Sequence, residues 1–275
     1  MPTSSSLRPL RIPGWLFAAC ILLGSTLFPS VGDAAGDCSA FDHQHQPWTE
    51  LLQAHVRDGV VDYAGLHRDD APLLRHYLAQ LEATCRDDHA TWTRDQKLAF
   101  WINAYNAYTI RLILDHYPTD SIRSIGWLPG AAFRQQFIPM QKLRGALLSL
   151  QTIEDEILRT ELAEPRIHFA IVCASRSCPA LASVAFTADT LDAQLDAAAR
   201  GFLADSTKNR WNPTPRTLEL SAIFQWFRAD FEKAAGSVIA FVGRYVEPAV
   251  AAGIREPGVE IRFLPYDWSL NGRAQ

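Results

Sequence analysis

The chain has 275 residues, of which 48% are hydrophobic and 20% are charged, and its formal net charge is −4. These values are ordinary for a folded globular protein and allow one large domain or two small ones. The weak negative charge gives no support to binding of nucleic acid or of anionic membranes, which favour basic surfaces. We therefore expect a small-molecule or peptide ligand and no nucleic-acid partner.

The beginning of the chain has the pattern of a secretory signal peptide. Arg8 and Arg11 precede an apolar run at 15–28, and small residues follow at 31–36. This order predicts cleavage after Ala34 or Ala35 and a periplasmic or secreted product without a membrane span. A retained membrane anchor is the alternative, although the run is shorter than the ~20 residues of a spanning helix. We expect residues 1–34 to be the signal peptide and residues 35–275 to form a single domain.

The strongest predicted helix lies in the middle of the chain. Thr93 and Gln96 form a capping-box pattern and Tyr117-Pro118 supplies a stop, which together predict a helix over about 94–116. Its sequence is apolar nearly all round, as in a buried helix at the centre of a fold. The predicted fold class is α+β: one compact, helix-rich domain whose central helix packs against a small, mostly antiparallel sheet. Further helices are predicted at 48–56, 71–85, 149–158, 187–203, 223–231 and 237–245. Strands are predicted at 59–63, 167–172, 217–220 and 260–265, and a strand pair around a turn at Arg144-Gly145 is predicted over 137–150.

The central helix carries polar residues that need partners. Asn103 and Asn106 are three positions apart, and Tyr105 lies between them. A buried amide without hydrogen bonds costs about 1–3 kcal/mol, so these side chains must meet polar groups. Two interpretations remain open: the asparagines fix loop backbone, or one of them orients a catalytic group or a substrate carbonyl.

The segment 167–179 concentrates the reactive side chains of the chain. A β-prone run containing His168 leads into a polar loop that begins at Cys173 and ends at Cys178. His168 is the nearest candidate base for a cysteine nucleophile. In an ideal strand, however, positions 168 and 173 point to opposite faces. Cys178 precedes Pro179, a residue favoured in the first helical turn, where the helix dipole stabilises a thiolate.

Export would make disulfides the default state of the cysteines. Four cysteines follow the predicted signal peptide, at 38, 85, 173 and 178, and they allow three pairings. Asp267 is a candidate third member of a Cys/His/Asp arrangement, since an acid fixes the imidazole tautomer. Arg176, inside the cysteine loop, could neutralise an anionic substrate. His43-x-His45 and His168 lack the further ligands of a usual zinc site, so no metal and no cofactor is predicted.

Four separated motifs carry a resemblance to a known family. They are Leu98-Ala-Phe-Trp-Ile-Asn-Ala-Tyr-Asn-Ala107, His116-Tyr-Pro118 with Ser121-Ile-Arg123, the segment from Arg166 to Pro179, and Tyr266-Asp-Trp-Ser-Leu-Asn271. In this order they resemble the family called domain of unknown function 547, over about 41–271. The resemblance implies an exported bacterial protein and supplies no reaction. Val172 stands where many relatives have a polar residue.

The resemblance marks family positions, and with the residues above it gives the candidate site. Cys38 and Cys85 lie outside the family motifs, which implies that they form a structural disulfide and leaves Cys173 and Cys178 as the pair of interest. The catalytic candidates are His168, Cys173, Cys178 and Asp267, and the substrate-binding candidates are Asn103, Tyr105, Asn106, Ser175, Arg176 and Asn271.

Three hypotheses for function follow from these candidates. The first is a thiol-dependent amide or acyl-transfer enzyme, papain- or transglutaminase-like by analogy, with Cys173 as nucleophile and His168 as base. Papain-like enzymes, however, place the nucleophile at the start of the central helix, where this chain has Phe100 and Trp101. The second is a non-catalytic binding or scaffold domain with a static disulfide. The third is thiol–disulfide exchange by Cys173 and Cys178.

Overall fold

The structure of the protein is a computed structural model that describes Cys38 and residues 40–273. The predicted signal peptide lies outside the described residues. Within the described part, no helix combines the length and the apolar character that crossing a membrane requires.

The described part of the chain is rich in helices. Short 3-10 helices occur at Ile122–Ser124, Pro165–Phe169 and Ala188–Thr190, and π-helical segments at Leu66–Asp70 and Thr152–Glu161. The α-helices are α1 (Gln46–His55), α2 (Tyr63–Gly65), α3 (Ala71–Ala83), α4 (Arg86–Thr91), α5 (Arg94–Asp115), α6 (Ala131–Arg134), α7 (Gln141–Arg144), α8 (Leu191–Ala204), α9 (Ile223–Trp226), α10 (Arg228–Ala235), α11 (Val238–Val242) and α12 (Pro248–Gly253).

The strands are short and form small sheets. They are β1 (Val56–Arg57), β2 (Val60–Val61), β3 (Ile138–Met140), β4 (Ala146–Leu148), β5 (Arg210–Asn212), β6 (Thr217–Ser221) and β7 (Glu260–Leu264). Strands β1 and β2 pair antiparallel, as do β3 and β4. In the third sheet β6 lies between β5, which is antiparallel to it, and β7, which is parallel. The predicted α+β class with small, mostly antiparallel sheets is confirmed.

Helix α5 is the centre of the fold, as the sequence predicts. The Thr93 hydroxyl accepts a hydrogen bond from the Gln96 N–H, and the Gln96 side chain accepts one from the Thr93 N–H, so the capping box is present. The helix ends before Tyr117-Pro118 because proline cannot continue it. From Leu98 to Leu114 every residue except Arg111 is buried. This packing fixes the position of Tyr105, the α5 residue that lines the candidate site described below.

Two hydrophobic clusters meet at the segment 167–173. The larger surrounds α5, and the smaller is rich in phenylalanine from α8, α9, α10 and α11. Ile167 and Val172 belong to the first cluster, whereas Phe169 belongs to the second. The segment that contains His168 thus packs against both hydrophobic clusters, and this packing restricts the conformations of its side chains.

The strand predicted at 167–172 is wrong. Residues Pro165–Phe169 form a 3-10 helix that begins with Glu164 accepting a hydrogen bond from the Arg166 N–H. The backbone after it bonds to a side chain instead of to a strand: Asn106 donates to the Ala170 carbonyl and accepts from the Val172 N–H. Strand alternation therefore does not separate His168 from Cys173.

Two other predictions need smaller corrections. The helix predicted at 223–231 is interrupted at Phe227 and forms α9 and α10. The segment 137–150 is a strand pair as predicted, but α7 joins β3 to β4, and Gly145 ends that helix at φ 70°. A glycine suits this position because a left-handed backbone is unstrained without a side chain.

Candidate functional site

Cys173 and Cys178 form a disulfide across a tight loop. Their Cα atoms are 6.2 Å apart, within the usual range for a disulfide. Between them Ala174 is fully buried and has φ 59°, a left-handed conformation that costs free energy for a residue other than glycine. Cys178 is buried, whereas Cys173 is partly exposed. An incoming group therefore reaches the Cys173 sulfur more easily.

The C-terminal segment holds this loop in place through backbone hydrogen bonds. The Arg176 N–H donates to the Ser269 carbonyl at 2.9 Å, and the Asn271 N–H donates to the Ala174 carbonyl at 3.0 Å. Ser175 also pairs with Leu270 in an isolated antiparallel bridge. These bonds explain why two motifs that are about 90 residues apart in sequence form one site.

Hydroxyl groups and one backbone amide surround the two sulfur atoms. The Tyr266 hydroxyl lies 3.3 Å from Cys173 Sγ and 3.3 Å from Cys178 Sγ. The Ser175 hydroxyl lies 3.0 Å from Cys173 Sγ and 3.3 Å from the Tyr266 oxygen. The Cys173 N–H donates to Cys178 Sγ at 2.8 Å. Sulfur in a disulfide is a weak acceptor, but a thiolate is a strong one, so these donors favour the reduced, ionised form of the pair.

A cleft of about 190 Å³ opens onto the disulfide. Its walls are mostly aromatic, and Trp226, Tyr266 and Trp268 pack against one another with ring centroids 4.6–5.7 Å apart. Trp226 is 47% exposed, and the Arg123 guanidinium lies over the Trp268 ring. The cleft is lined by Tyr105, Phe133, Glu154, His168, Ile171, Cys173, Cys178, Pro179, Ile223, Trp226, Phe227, Tyr266 and Trp268.

Glu154 supplies a carboxylate to this apolar cleft. The Tyr105 hydroxyl donates to Glu154 Oε2 at 3.2 Å. Burial, together with the neighbouring Asp155 carboxylate, raises the pKa of Glu154 to about 7, against the opposing effects of the Tyr105 hydrogen bond and Arg159. Burial and the nearby Glu154 raise the pKa of Tyr105, which stays protonated and remains a donor. Glu154 can therefore exchange a proton near neutral pH.

His168 lines the same cleft and is oriented by Asp230. His168 Nε2 lies 2.8 Å from Asp230 Oδ2, and the imidazole stacks on Phe227 with centroids 3.9 Å apart. Burial lowers the pKa of His168 despite the Asp230 carboxylate, so the ring is neutral at pH 7. With Nε2–H donating to Asp230, Nδ1 is the acceptor of the ring.

The Arg159 guanidinium completes the surroundings of Asp230. Arg159 Nε lies 2.6 Å from Asp230 Oδ2, and Arg159 Nη1 lies 2.6 Å from Asp155 Oδ1. Burial alone would raise the pKa of Asp230, but hydrogen bonds from His168 and Arg159 outweigh it and hold that pKa well below its usual value. Asp230 is therefore ionised and fixes the orientation of the imidazole.

The asparagines predicted to bind substrate bond to the protein itself. Asn103 donates to the Phe186 carbonyl at 2.7 Å and accepts from the Phe186 N–H at 3.0 Å. Asn106 makes the equivalent pair with Ala170 and Val172. Asn271 accepts from the Tyr63 hydroxyl at 2.8 Å. Their contacts are those of the first interpretation, in which the asparagines fix loop backbone.

Of the remaining predicted site residues, two lie at the disulfide or its cleft and two are exposed. Ser175 is beside Cys173, as given above, and Tyr105 lines the cleft. Asp267 is exposed, and its carboxylate accepts from the N–H and hydroxyl of Ser269. Arg176 is exposed and lines a separate cleft of about 270 Å³ with Ser175, Cys178 and Asn271. The carboxylate beside His168 is therefore Asp230, and Asp267 stabilises a turn.

Sequence reasoning missed Glu154, Asp230 and Tyr266 as members of the site. Glu154 lies among acidic residues at a helix start, where it is easily taken for a favourable interaction with the helix dipole. Asp230 follows an aromatic run and comes near His168 only through the tertiary fold. Tyr266 lies beside Asp267 in the C-terminal motif. Its aromatic neighbour Trp268 was the sequence signal that could have indicated the wall of a pocket.

The other cysteine pair is a disulfide between Cys38 and Cys85, with Cα atoms 5.8 Å apart. This is the pairing that the family resemblance implies. The described residues contain no group of three histidine, cysteine, aspartate or glutamate side chains arranged to hold a metal ion.

Comparisons with known proteins give a similarity to one family over part of the chain and give no activity. Searches of curated proteins and of solved structures found no match to the chain. A family model described as "Protein of unknown function, DUF547" matches residues 89–203, which include α5, the His168 segment and the cysteine loop. The C-terminal motif around Tyr266 lies beyond the matched residues. Residues 89–203 of this chain are thus similar to the DUF547 family of proteins of unknown function.

Proposed function

We propose that the protein catalyses thiol–disulfide exchange through Cys173 and Cys178. The observation that carries the proposal is the Tyr266 hydroxyl, which lies 3.3 Å from both sulfur atoms at the base of an aromatic cleft. A static crosslink needs no donors for its sulfur atoms and no access for a second molecule. This pair has both.

The geometry suggests which sulfur reacts. A substrate thiolate attacks Sγ of the more exposed Cys173, a mixed disulfide forms, and the bond to Cys178 breaks. The Cys178 thiolate leaves, and the Cys173 N–H and the Tyr266 hydroxyl stabilise its charge. A second substrate thiolate then attacks the mixed disulfide, which releases an oxidised substrate and leaves a dithiol. Two substrate thiols lose two electrons, and the cysteine pair gains them.

The amide or acyl-transfer hypothesis is the second candidate. It is favoured by the His168–Asp230 pair, because a neutral, oriented imidazole in the cleft can act as a base towards a cysteine thiol. It requires reduction of the disulfide first, since a sulfur in a disulfide has no thiolate to offer. It is therefore a function of the reduced protein, whereas exchange uses both states.

We also propose that the protein is exported. The basic, apolar and small-residue order of its first 36 residues supports this location, as do two disulfides, which persist in oxidising compartments. A fusion of residues 1–45 to a reporter enzyme that is active only after export should give activity outside the cytoplasm. Replacement of the apolar run by polar residues should abolish that activity.

The experiment for exchange measures the redox equilibrium of the cysteine pair. The oxidised protein is equilibrated with mixtures of reduced and oxidised glutathione, quenched with acid and alkylated, and the alkylated peptides are quantified. We expect Cys173 and Cys178 to equilibrate at a potential above about −300 mV, the region below which structural disulfides lie. Cys38 and Cys85, in the same sample, are the internal control and should stay oxidised.

Catalysis is tested on a disulfide-containing peptide substrate. The reduced protein should accelerate reduction of the peptide, and Cys173→Ser should remove about 99% of that acceleration, because the more exposed attacking thiol is lost and the remaining Cys178 is buried. Resistance of the 173–178 bond to glutathione would favour the non-catalytic scaffold. Hydrolysis of amide or ester substrates by the reduced protein alone, without exchange, would favour the second candidate.

A further inference from the structure

The exchange reaction needs a proton acceptor that the cysteines do not provide. The substrate thiol must lose its proton before it attacks, and the departing Cys178 thiolate ends as a thiol. In water, buffer carries these protons. The cleft walls are mostly aromatic, so a titratable group in the wall is the nearest one that the protein offers to an entering thiol.

Among the described residues that line the cleft, Glu154 is the one with a carboxylate. It belongs to the π-helical segment Thr152–Glu161, whose irregular turns are frequent at functional sites. Its carboxylate is held by the Tyr105 hydroxyl, which reaches it from helix α5 at 3.2 Å. The carboxylate is therefore held by a side chain of the buried central helix.

Resting on the proposed exchange function, we propose that Glu154 takes the proton from the substrate thiol that enters the cleft and returns it to Cys178. In the first step the S–H bond of the substrate breaks and the carboxylate becomes a carboxylic acid. The thiolate attacks Cys173 Sγ, the 173–178 bond breaks, and the Cys178 thiolate takes the proton from Glu154. The carboxylate is regenerated, and no outside oxidant or reductant is consumed in this half of the reaction.

His168 is the competing base, and its surroundings argue against it. Its Nε2 is hydrogen-bonded to Asp230, and burial lowers its pKa, so it is a weaker proton acceptor near neutral pH. Glu154 is instead matched to that range, since its pKa is raised to about 7. The charged and titratable groups around Glu154 come from several elements: Asp155 and Arg159 from its own segment, Tyr105 from α5, Asp230 from α10, and Tyr266 from the C-terminal segment.

The test follows the reaction of the oxidised full-length protein with 2-mercaptoethanol between pH 5 and pH 9.5, with the mixed disulfide quantified by mass spectrometry after an acid quench. After correction for ionisation of the reagent, the wild-type rate should rise through an additional step near pH 7. Glu154→Gln should lack this step and react about 10–100-fold more slowly at pH 7.5, in the range of general base catalysis. Its rate should approach the wild-type rate at alkaline pH, where the reagent ionises without help.

Two further variants separate proton transfer from a structural effect. Glu156→Gln makes the same substitution at an exposed position of the same segment, and its profile should equal that of the wild type. Tyr105→Phe removes the hydrogen bond that favours the carboxylate, so the step should move to higher pH without disappearing. Tyr105 is in this sense a positioning residue, and a merely structural role would leave the pH of the step unchanged.

The outcomes distinguish the two proposals. If the wild type shows the step and Glu154→Gln keeps both the step and the rate, the role of Glu154 is overturned while exchange stands. If the wild type forms no mixed disulfide at any pH, the proposed function and this inference both fail. Circular dichroism and disulfide content are measured first for each variant. If Glu154→Gln does not fold, an unmoved step in Tyr105→Phe overturns the inference.

Discussion

The two disulfides of this protein differ in almost every property that decides what a disulfide does. Cys38 and Cys85 are 47 positions apart, and the bond joins the start of the described chain to the start of α4. Cys173 and Cys178 are five positions apart and lie at an aromatic cleft among hydroxyl donors. By loop-closure entropy the first bond stabilises the fold by about 4 kcal/mol and the second by only about 2 kcal/mol.

The difference indicates a division of roles. A disulfide stabilises the fold more when it closes a longer loop, and the Cys38–Cys85 disulfide closes a long one. The crosslink across the short loop removes little entropy from the unfolded chain. The loop nevertheless has a buried residue at positive φ and a set of hydrogen bonds suited to a thiolate. A protein that needed only stability would gain more from a different crosslink, so the cleft disulfide is better explained by reactivity.

The largest expected effect comes from removing the long-range bond. The double variant Cys38→Ala and Cys85→Ala should lose about 4 kcal/mol of unfolding free energy, measured by urea denaturation, because the unfolded chain regains the freedom of a 47-residue loop. Its exchange rate with 2-mercaptoethanol should match that of the wild type. A loss of exchange with intact stability would reverse the division of roles.

The next prediction compares the two buried asparagines of α5. Asn106→Ala and Asn103→Ala each leave one backbone N–H and one carbonyl unpaired, so each should lose about 3 kcal/mol of unfolding free energy. Only Asn106 holds the backbone that leads into Cys173. We therefore expect Asn106→Ala alone to slow exchange, by about tenfold or more, because a small displacement of a reacting group is costly.

Asn103→Ala is the matched control for that measurement. Its partner Phe186 lies outside the cysteine loop and does not line the cleft. Equal exchange rates in the two variants would mean that the backbone near Ala170 does not position the sulfur atoms. Equal losses of stability with unequal rates would instead show that the site depends on one of two otherwise similar hydrogen-bonded pairs.

Sequence reasoning predicted the parts of the fold that local signals determine. The capping box at Thr93 and the apolar surface of the central helix fix α5, because both act through neighbours in sequence. The same holds for the hydrophobic period of α8 and the short strand β6. The run at 167–172 was mispredicted because its β-prone residues are buried by tertiary contacts, and the Asn106 side chain replaces a neighbouring strand.

Sequence reasoning predicted those residues of the candidate site that lie in the sequence motifs. Cys173, Cys178, His168 and Tyr105 line one cleft, although nothing local says so. Asp267 was the predicted carboxylate partner of His168, yet Asp230 takes that position through the packing of α10 against the 165–169 helix. No spacing rule connects residues 62 positions apart. Glu154 was missed for the same reason, since its burial depends on the aromatic wall that the C-terminal segment builds.

The smallest expected effect concerns stability and tests the burial of Glu154 without reference to catalysis. Burial raises the pKa of Glu154 to about 7 in the folded protein, above the ordinary value of 4.5 in the unfolded chain. Below pH 4.5 the group is protonated in both states and carries no penalty. Between pH 4.5 and pH 7 the unfolded chain releases the proton while the folded state keeps it, so stability falls with rising pH. Above pH 7 the folded group also ionises and the loss of stability stays constant.

Glu154→Gln removes this penalty, because the amide is neutral at every pH and can still accept from Tyr105. We expect the variant and the wild type to have similar unfolding free energies at pH 4, and the variant to be more stable by about 2 kcal/mol at pH 8. Glu156→Gln, at an exposed position of the same segment, should show no such divergence. If the two proteins differ in unfolding free energy by the same amount at pH 4 and at pH 8, Glu154 ionises in the folded protein as it does in water. The cleft would then lack the buried carboxylate that distinguishes the Cys173–Cys178 disulfide from the one between Cys38 and Cys85.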